Sequence, residues 1–308
     1  MNGHTATKWL RRVSPATAKA DLAKYLHDRV TESLDAQAII SGLFTAPRRD
    51  TVVPLAKPRR FTRLSISRLQ RPTRSADEPL SLPPVEDLYY ESLDRHLATG
   101  RQDALTLRRF FSQLGIRLDG VSVMDWGCRD CRVLRHFADE ARVCDFWGVD
   151  QDGPSIEWAK ENLSPPFRFL TCSAFPHLPF EDRAFDAIFA ISVFTHVPLL
   201  ADAWLMELRR ILKPGGVGLF TVHDEHTWRF LEQNDEMRAM FGLEQEDIAK
   251  ARSADLVIID APGLRMEFVN VFQSAARIRQ EWGRYFEIVS IEPYAFYHQS
   301  MVVLRKPA

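Results

Sequence analysis

Hydrophobic positions change their period along this chain, and each change marks an element. Leu22, Leu26, Val30 and Leu34 recur every four residues. That single apolar stripe predicts an amphipathic helix over 15–41. Ser14 and Pro15 supply an N-cap and a first-turn proline, and Gly42 a stop. Such a helix must bury its stripe on the rest of the chain, on a second copy or on a protein partner. "LPPVEDLYYESLDRHLATG" and "DALTLRRFFSQLG" predict two more helices, ending near Gly100 and Gly115.

From residue 121 short apolar runs alternate with amphipathic ones. "VSVMDW", "CDFWGVD", "FRFLTC", "FDAIFAIS" and "GVGLFTVH" read as strands; "CRVLRHFADE", "PSIEWAKENL" and "LADAWLMELRRIL" read as helices between them. The strands are apolar on both faces, as strands covered on both sides are. Strand–helix alternation of this kind builds parallel βαβ units. Residues 121–223 therefore predict an α/β, doubly wound sheet, with its ligand crevice at the carboxyl ends of the strands. Beyond it, 224–264 reads as a mostly polar helical insertion. "RMEFVNVFQ", "YFEIVSIEP" and "QSMVVLRK" read as strands, with "SAARIRQEWG" a helix after the first. The last two suit an antiparallel hairpin at a sheet edge. The expected domains are 1–44 (helical region), 45–83 (linker) and 84–308, divided into a core over 121–223, the insertion over 224–264 and C-terminal strands over 265–308.

Composition changes this picture in one place. The 308 residues carry a net charge of −1, yet 45–75 holds nine Arg/Lys against Asp50 alone, a local +8, broken by Pro47, Pro54, Pro58 and Pro72. Charge and proline at this density predict a tether or poorly ordered arm. Its alternative role is an electrostatic patch for nucleic acid or an anionic surface. No apolar run is long enough to span a bilayer. The N-terminus lacks the apolar core of a secretory signal; being basic and acid-poor, it leaves an organelle transit segment open. Four cysteines make no disulfide scaffold, so reduced, cytoplasmic thiols are expected. Cys128-x-x-Cys131 has no second pair to complete a metal site, and no metal is expected.

Four places fall at the carboxyl ends of strands: Asp125 to Cys128, Asp150-Gln151, Cys172 to Ala174, and Ser192 to His196. An acid ending the second strand, 23 residues after Gly127, stands where a cofactor ribose is held. With these residues in order, the chain resembles class I S-adenosylmethionine-dependent methyltransferases. "VMDWGCRDC" resembles the first motif of that family, usually D-x-G-C-G-x-G, and "GVDQDGPSIEWAKENL" the second-strand acidic motif. "LPFEDRAFDAIFAISVFTHV" and "WLMELRRILKPGGVGLFTVH" resemble its later motifs. The tail is similar to a bacterial, small-molecule or sugar-type branch. The resemblance covers roughly residues 85–308. It implies a Rossmann-like, mostly parallel seven-stranded sheet with the antiparallel hairpin at its edge.

The resemblance also implies roles. Asp125, Gly127 and Cys128 would lie under the methionine part of S-adenosyl-L-methionine. Asp150 would hold the ribose, and Gln151 would flank the adenine. Ser173 and Ala174 stand where the family often has an adenine-reading Asp, and Phe175 would pack on the ring. Ser192 and His196 would border the methyl group. Arg129 and Cys131 depart from the family's glycines. Arg129 would either pair with the cofactor carboxylate, with Asp130 facing the ammonium, or point inward and block the site. For a hydroxyl acceptor, His196 and then His223 are the base candidates; the alternative for each is a histidine that fixes a loop. Tyr89, Tyr90 and the insertion over 224–264 would form a lid or acceptor wall, in which Trp228, Phe230 and Met240 are expected to pack rather than to touch substrate. The implied reaction is in-line methyl transfer to an oxygen or nitrogen of a small-molecule or sugar-like acceptor. The alternative is a non-catalytic binding domain with a weakened cofactor turn. No D/N-P-P-Y/F segment follows the fourth strand, where "SVFTHV" stands, which argues against methylation of a nucleic-acid base.

Overall fold

A computed structural model describes residues 79–83, 92–198, 200–259 and 269–308. The expected helix over 15–41, the basic stretch over 45–75, and Tyr89 and Tyr90 lie outside them. The first described helix, α1 (Leu93–Gln113), is capped by Ser92, whose side chain accepts from the Arg95 amide. It runs straight through Gly100, where a break was expected. Gly100 is buried, and a Cβ there would sit 2.0 Å from the Arg132 carbonyl oxygen. The glycine thus serves close packing and does not end the helix.

Seven strands follow in one sheet: β1 (Ser122–Trp126), β2 (Asp145–Asp150), β3 (Arg168–Thr171), β4 (Phe185–Ala190), β5 (Leu212–Val222), and, after a separate two-stranded pair, β8 (Glu287–Phe296) and β9 (Gln299–Arg305). Their order is β3-β2-β1-β4-β5-β9-β8. The first five are parallel, and β9 enters antiparallel between β5 and β8. This is the doubly wound sheet with an antiparallel edge hairpin that the pattern predicts, and the Rossmann-like order that the resemblance implies. The order reverses between β1 and β4, which opens the crevice at their carboxyl ends.

Alternate residues of each strand feed two cores. Val123, Phe146, Phe189, Leu219 and Val303 face α1 and α2 (Gly153–Asn162). Met124, Ile188, Phe220, Val302 and Leu304 face α3 (Ala201–Ile211) and α7 (Ala275–Trp282). The helix expected over "CRVLRHFADE" is instead turns and two short 3-10 segments, Leu134–Phe137 and Glu140–Arg142. One of its carbonyls is taken from outside, since the His136 carbonyl accepts from the Arg108 guanidinium, and its Arg135 side chain reaches away to donate to the Ser81 carbonyl.

The insertion carries α4 (Glu225–Gln233), α5 (Asp235–Met240) and α6 (Gln245–Ala251). It also holds an unexpected strand, β6 (Leu256–Ile259), paired antiparallel with β7 (Asn270–Gln273). Trp228, Leu231, Ile248, Val257 and Phe272 give this part its own apolar cluster. Trp228 stacks on Phe272 at 3.8 Å, the packing role expected of it. Among the described residues no helix is long and apolar enough to cross a membrane.

Candidate functional site

The turn after β1 keeps the backbone that glycines usually permit. Gly127, Arg129 and Cys131 all have positive φ, at 85°, 39° and 57°. A left-handed non-glycine residue costs about 1 kcal/mol or more, and such strain concentrates at functional sites. The Gly127 and Cys128 amides both donate to the Val149 carbonyl of β2. A Cβ on Gly127 would lie 2.3 Å from Val193 Cγ2, so nothing larger fits between the turn and the segment after β4.

Asp150, at the end of β2, anchors this turn. The Arg129 amide donates to its Oδ2 at 2.7 Å and the Asp152 amide to its Oδ1 at 2.8 Å. Each oxygen keeps a further lone pair for a hydroxyl donor. Burial raises the Asp150 pKa against the lowering effect of these two amides. Asp125, also buried, is raised well above the usual carboxylate range by burial, and then by the charges of Asp150 and Asp130, with Arg132 opposing. Two buried carboxylates that resist ionisation, one near the end of β1 and one at the end of β2, form a site where a positive charge would favour the ionised forms.

The Arg129 side chain is exposed, so it is not packed into the interior. Asp130 differs from expectation. Its carboxylate is buried, accepts from the Arg132 amide and lies 3.4 Å from His96 Nδ1 of α1. It faces α1, not the expected ammonium position. Cys128 and Cys131 are free and buried. Burial, then Cys131, pushes the Cys128 thiol far up, so it remains protonated and packs as a small apolar group.

Along the β2–β3 edge the expected adenine residues are open. Gln151, Ser173 and Ala174 are exposed, and Phe175 is 49% exposed. The Ser173 hydroxyl accepts from the Phe175 amide at 3.2 Å, which shapes the loop. Further along, Glu207 of α3 accepts from the Leu178 amide, and Arg210 donates to the Leu178 and Phe180 carbonyls. Sequence reading missed this pair because charged residues on a helix ordinarily read as a solvated face.

At the end of β4, Ser192 also has a positive φ, 59°. Its amide donates to Thr221 Oγ1 of β5, and its hydroxyl meets the Gln299 side chain, with Gln299 Nε2 donating at 2.8 Å. His196 Nδ1 donates to the Val269 carbonyl at 2.8 Å. That bond fixes the ring and, in the neutral tautomer, leaves the lone pair on Nε2. His223 is buried, and burial, then His298 and His196, lower its pKa well below the ordinary histidine value. His298, which the sequence reading passed over, lies with its ring centroid 5.3 Å from that of His223. Its signal was a hairpin turn, "AFYHQS", with no glycine or asparagine where such turns favour them.

Residues 124–220 match the family described as "Methyltransferase domain". The chain is similar to the sterol 24-C-methyltransferase ERG6A of Gibberella zeae, 34% identical over 145 residues, which is 44% of this chain and 36% of that protein. It is similar to ERG6B of the same fungus, 43% identical over 139 residues, 42% of this chain and 33% of that protein. The match thus spans about a third of the length of these curated relatives. Among solved structures, the PH0226 protein of Pyrococcus horikoshii aligns over 71% of this chain and 98% of its own, at 19% identity and a TM-score of 0.48.

Proposed function

We propose that this chain, whose residues 124–220 match the methyltransferase domain family, transfers a methyl group from S-adenosyl-L-methionine to an oxygen or nitrogen of a small-molecule acceptor. One observation carries the reading: the turn keeps its left-handed backbone at three positions, two of them without glycine, and is bonded to the acid that ends β2. A fold that had abandoned the cofactor would have no reason to retain that strain.

Asp150, through its remaining lone pairs, would hold the ribose hydroxyls. Asp125 and Gly127 would line the methionine part, and Phe175 would cover the adenine from its exposed position. Burial makes Asp125 and Asp150 costly to ionise, and a positive charge bound beside them would favour their ionised forms. When bound, the cofactor supplies a sulfonium-activated methyl group. The chain's work is to orient the acceptor, to exclude water and, for a hydroxyl, to take its proton. His196, whose ring is held by the Nδ1–H bond to the Val269 carbonyl, is the residue proposed to take that proton. The sterol substrates named for the relatives belong to proteins of which this chain matches about a third, so they do not set its acceptor.

The test is transfer of a tritiated methyl group from S-adenosylmethionine to panels of small alcohols, phenols and amines. Label should enter at least one panel and be lost in Asp150→Asn. Label that reaches none of them, or that survives the substitution, would contradict the proposal.

A further inference from the structure

The two-residue loop Tyr297–His298 joins β8 to β9 and meets the carboxyl end of β5. The Thr227 hydroxyl of α4 donates to the His298 carbonyl at 2.7 Å and fixes the loop there. The His223 and His298 rings are tilted by 32°. Both Nδ1 atoms are buried, and neither has a hydrogen-bond partner. An unsatisfied buried polar atom is costly, so two in adjacent rings mark a place built for a partner. Burial lowers the His298 pKa to about 4, as it lowers that of His223, so both rings are neutral near pH 7. A neutral imidazole offers one donor and one acceptor, and a hydroxyl matches such a pair because it both donates and accepts.

The surroundings define the rest of the ligand. Phe241 lies edge-on to both histidines, at 5.3 and 5.7 Å, and Phe272 lies 4.8 Å from His223. Phe230 and Tyr297 flank His298. Aromatic faces favour a flat apolar body. Tyr297 is 65% exposed and has a φ of 56°, so backbone strain is spent on presenting a ring to solvent beside His298. The neighbouring residue, Gln299, bonds Ser192, and Val193 packs on the Gly127 turn. The histidine pair is thereby tied to the methyl-donor side of the crevice.

We propose that His223 and His298 together bind the hydroxyl of a flat, uncharged, largely apolar compound. As an acceptor site this rests on the methyl-transfer reading; as a hydroxyl-binding site it stands without it.

The experiment uses the full chain with 15N-labelled histidine, and phenol, toluene and benzoate as probes, each with and without S-adenosylhomocysteine. Phenol should shift the ring signals of both His223 and His298 and bind about tenfold or more tightly than toluene, the worth of one good hydrogen bond. Benzoate should not compete. His298→Phe should bring phenol down to the toluene level, and His298→Gln, which keeps a donor and an acceptor, should recover part of the difference. Ring signals that ignore phenol, as with an ordered water only, or equal binding of toluene, would overturn the site. Phenol shifts without S-adenosylhomocysteine binding would overturn methyl transfer and leave the hydroxyl site standing. The reverse result would do the opposite.

Discussion

Arg129 and Cys131 occupy positions at which a side chain is a burden, and the backbone adopts the left-handed conformation regardless. The sequence carried the departure from glycine; whether the conformation survived was not legible, because positive φ is a property of the folded turn. Arg129→Gly should relieve this strain and raise stability by about 1 kcal/mol, read as a higher urea midpoint. An unchanged or lower midpoint would mean that the side chain contributes more than the strain costs. Gly127→Ala should have the opposite character. Its Cβ meets Val193 at 2.3 Å on a φ of 85°, so the turn must shift, and S-adenosylhomocysteine binding should fall at least about tenfold. Binding that survives this substitution would detach the turn from the cofactor. Asp125, Asp150 and Ser192 were legible because strand ends are easy to locate in an α/β pattern. His298 was not, since only folding brings the β8–β9 loop to the end of β5.

Among the elements, the strands were read nearly in full because apolar runs covered on both faces have few alternatives. The helices were read less well. Gly100 resembles a stop but lies inside α1, since the Arg132 carbonyl needs the space. The segment after β1 has helical composition, but Arg108 captures one of its carbonyls and the chain settles for 3-10 turns. β6, the apolar run Leu256–Ile259, was read as part of the helical insertion because its partner β7 comes after an intervening segment. Gly100→Ala should therefore cost about 1–3 kcal/mol by overpacking, although alanine is the better helix former. Urea unfolding will show a lower midpoint, whereas a rise would return Gly100 to an ordinary helix position. Glu207→Gln keeps a hydrogen-bond acceptor for the Leu178 amide but gives up the charge that faces Arg210, so the loop over 173–182 should exchange its amide hydrogens faster.

At the scale of the whole molecule, buried histidines and buried carboxylates pull the pH dependence in opposite directions. His298 has a pKa of about 4 in the fold against about 6.5 in the unfolded chain. Between those values the unfolded chain binds the proton and the folded chain does not, so this ring's effect lowers stability as pH falls from 6.5 toward 4. Asp125 and Asp150, raised by burial, act the other way: the folded chain holds their protons to higher pH, so their effect lowers stability as pH rises above the ordinary carboxylate value. His298→Phe removes only the first effect. The variant's Tm should drop less than that of the parent between pH 7 and 4.5; parallel curves would place His298 outside the low-dielectric site. The strained, glycine-poor turn at the end of β1 is proposed to hold S-adenosylmethionine. Calorimetric titration of the full chain with that compound tests it most directly. Saturable binding at one site is expected, with a dissociation constant in the range of about 1 μM to 1 mM. Absence of binding at millimolar cofactor, with the protein folded, would contradict it.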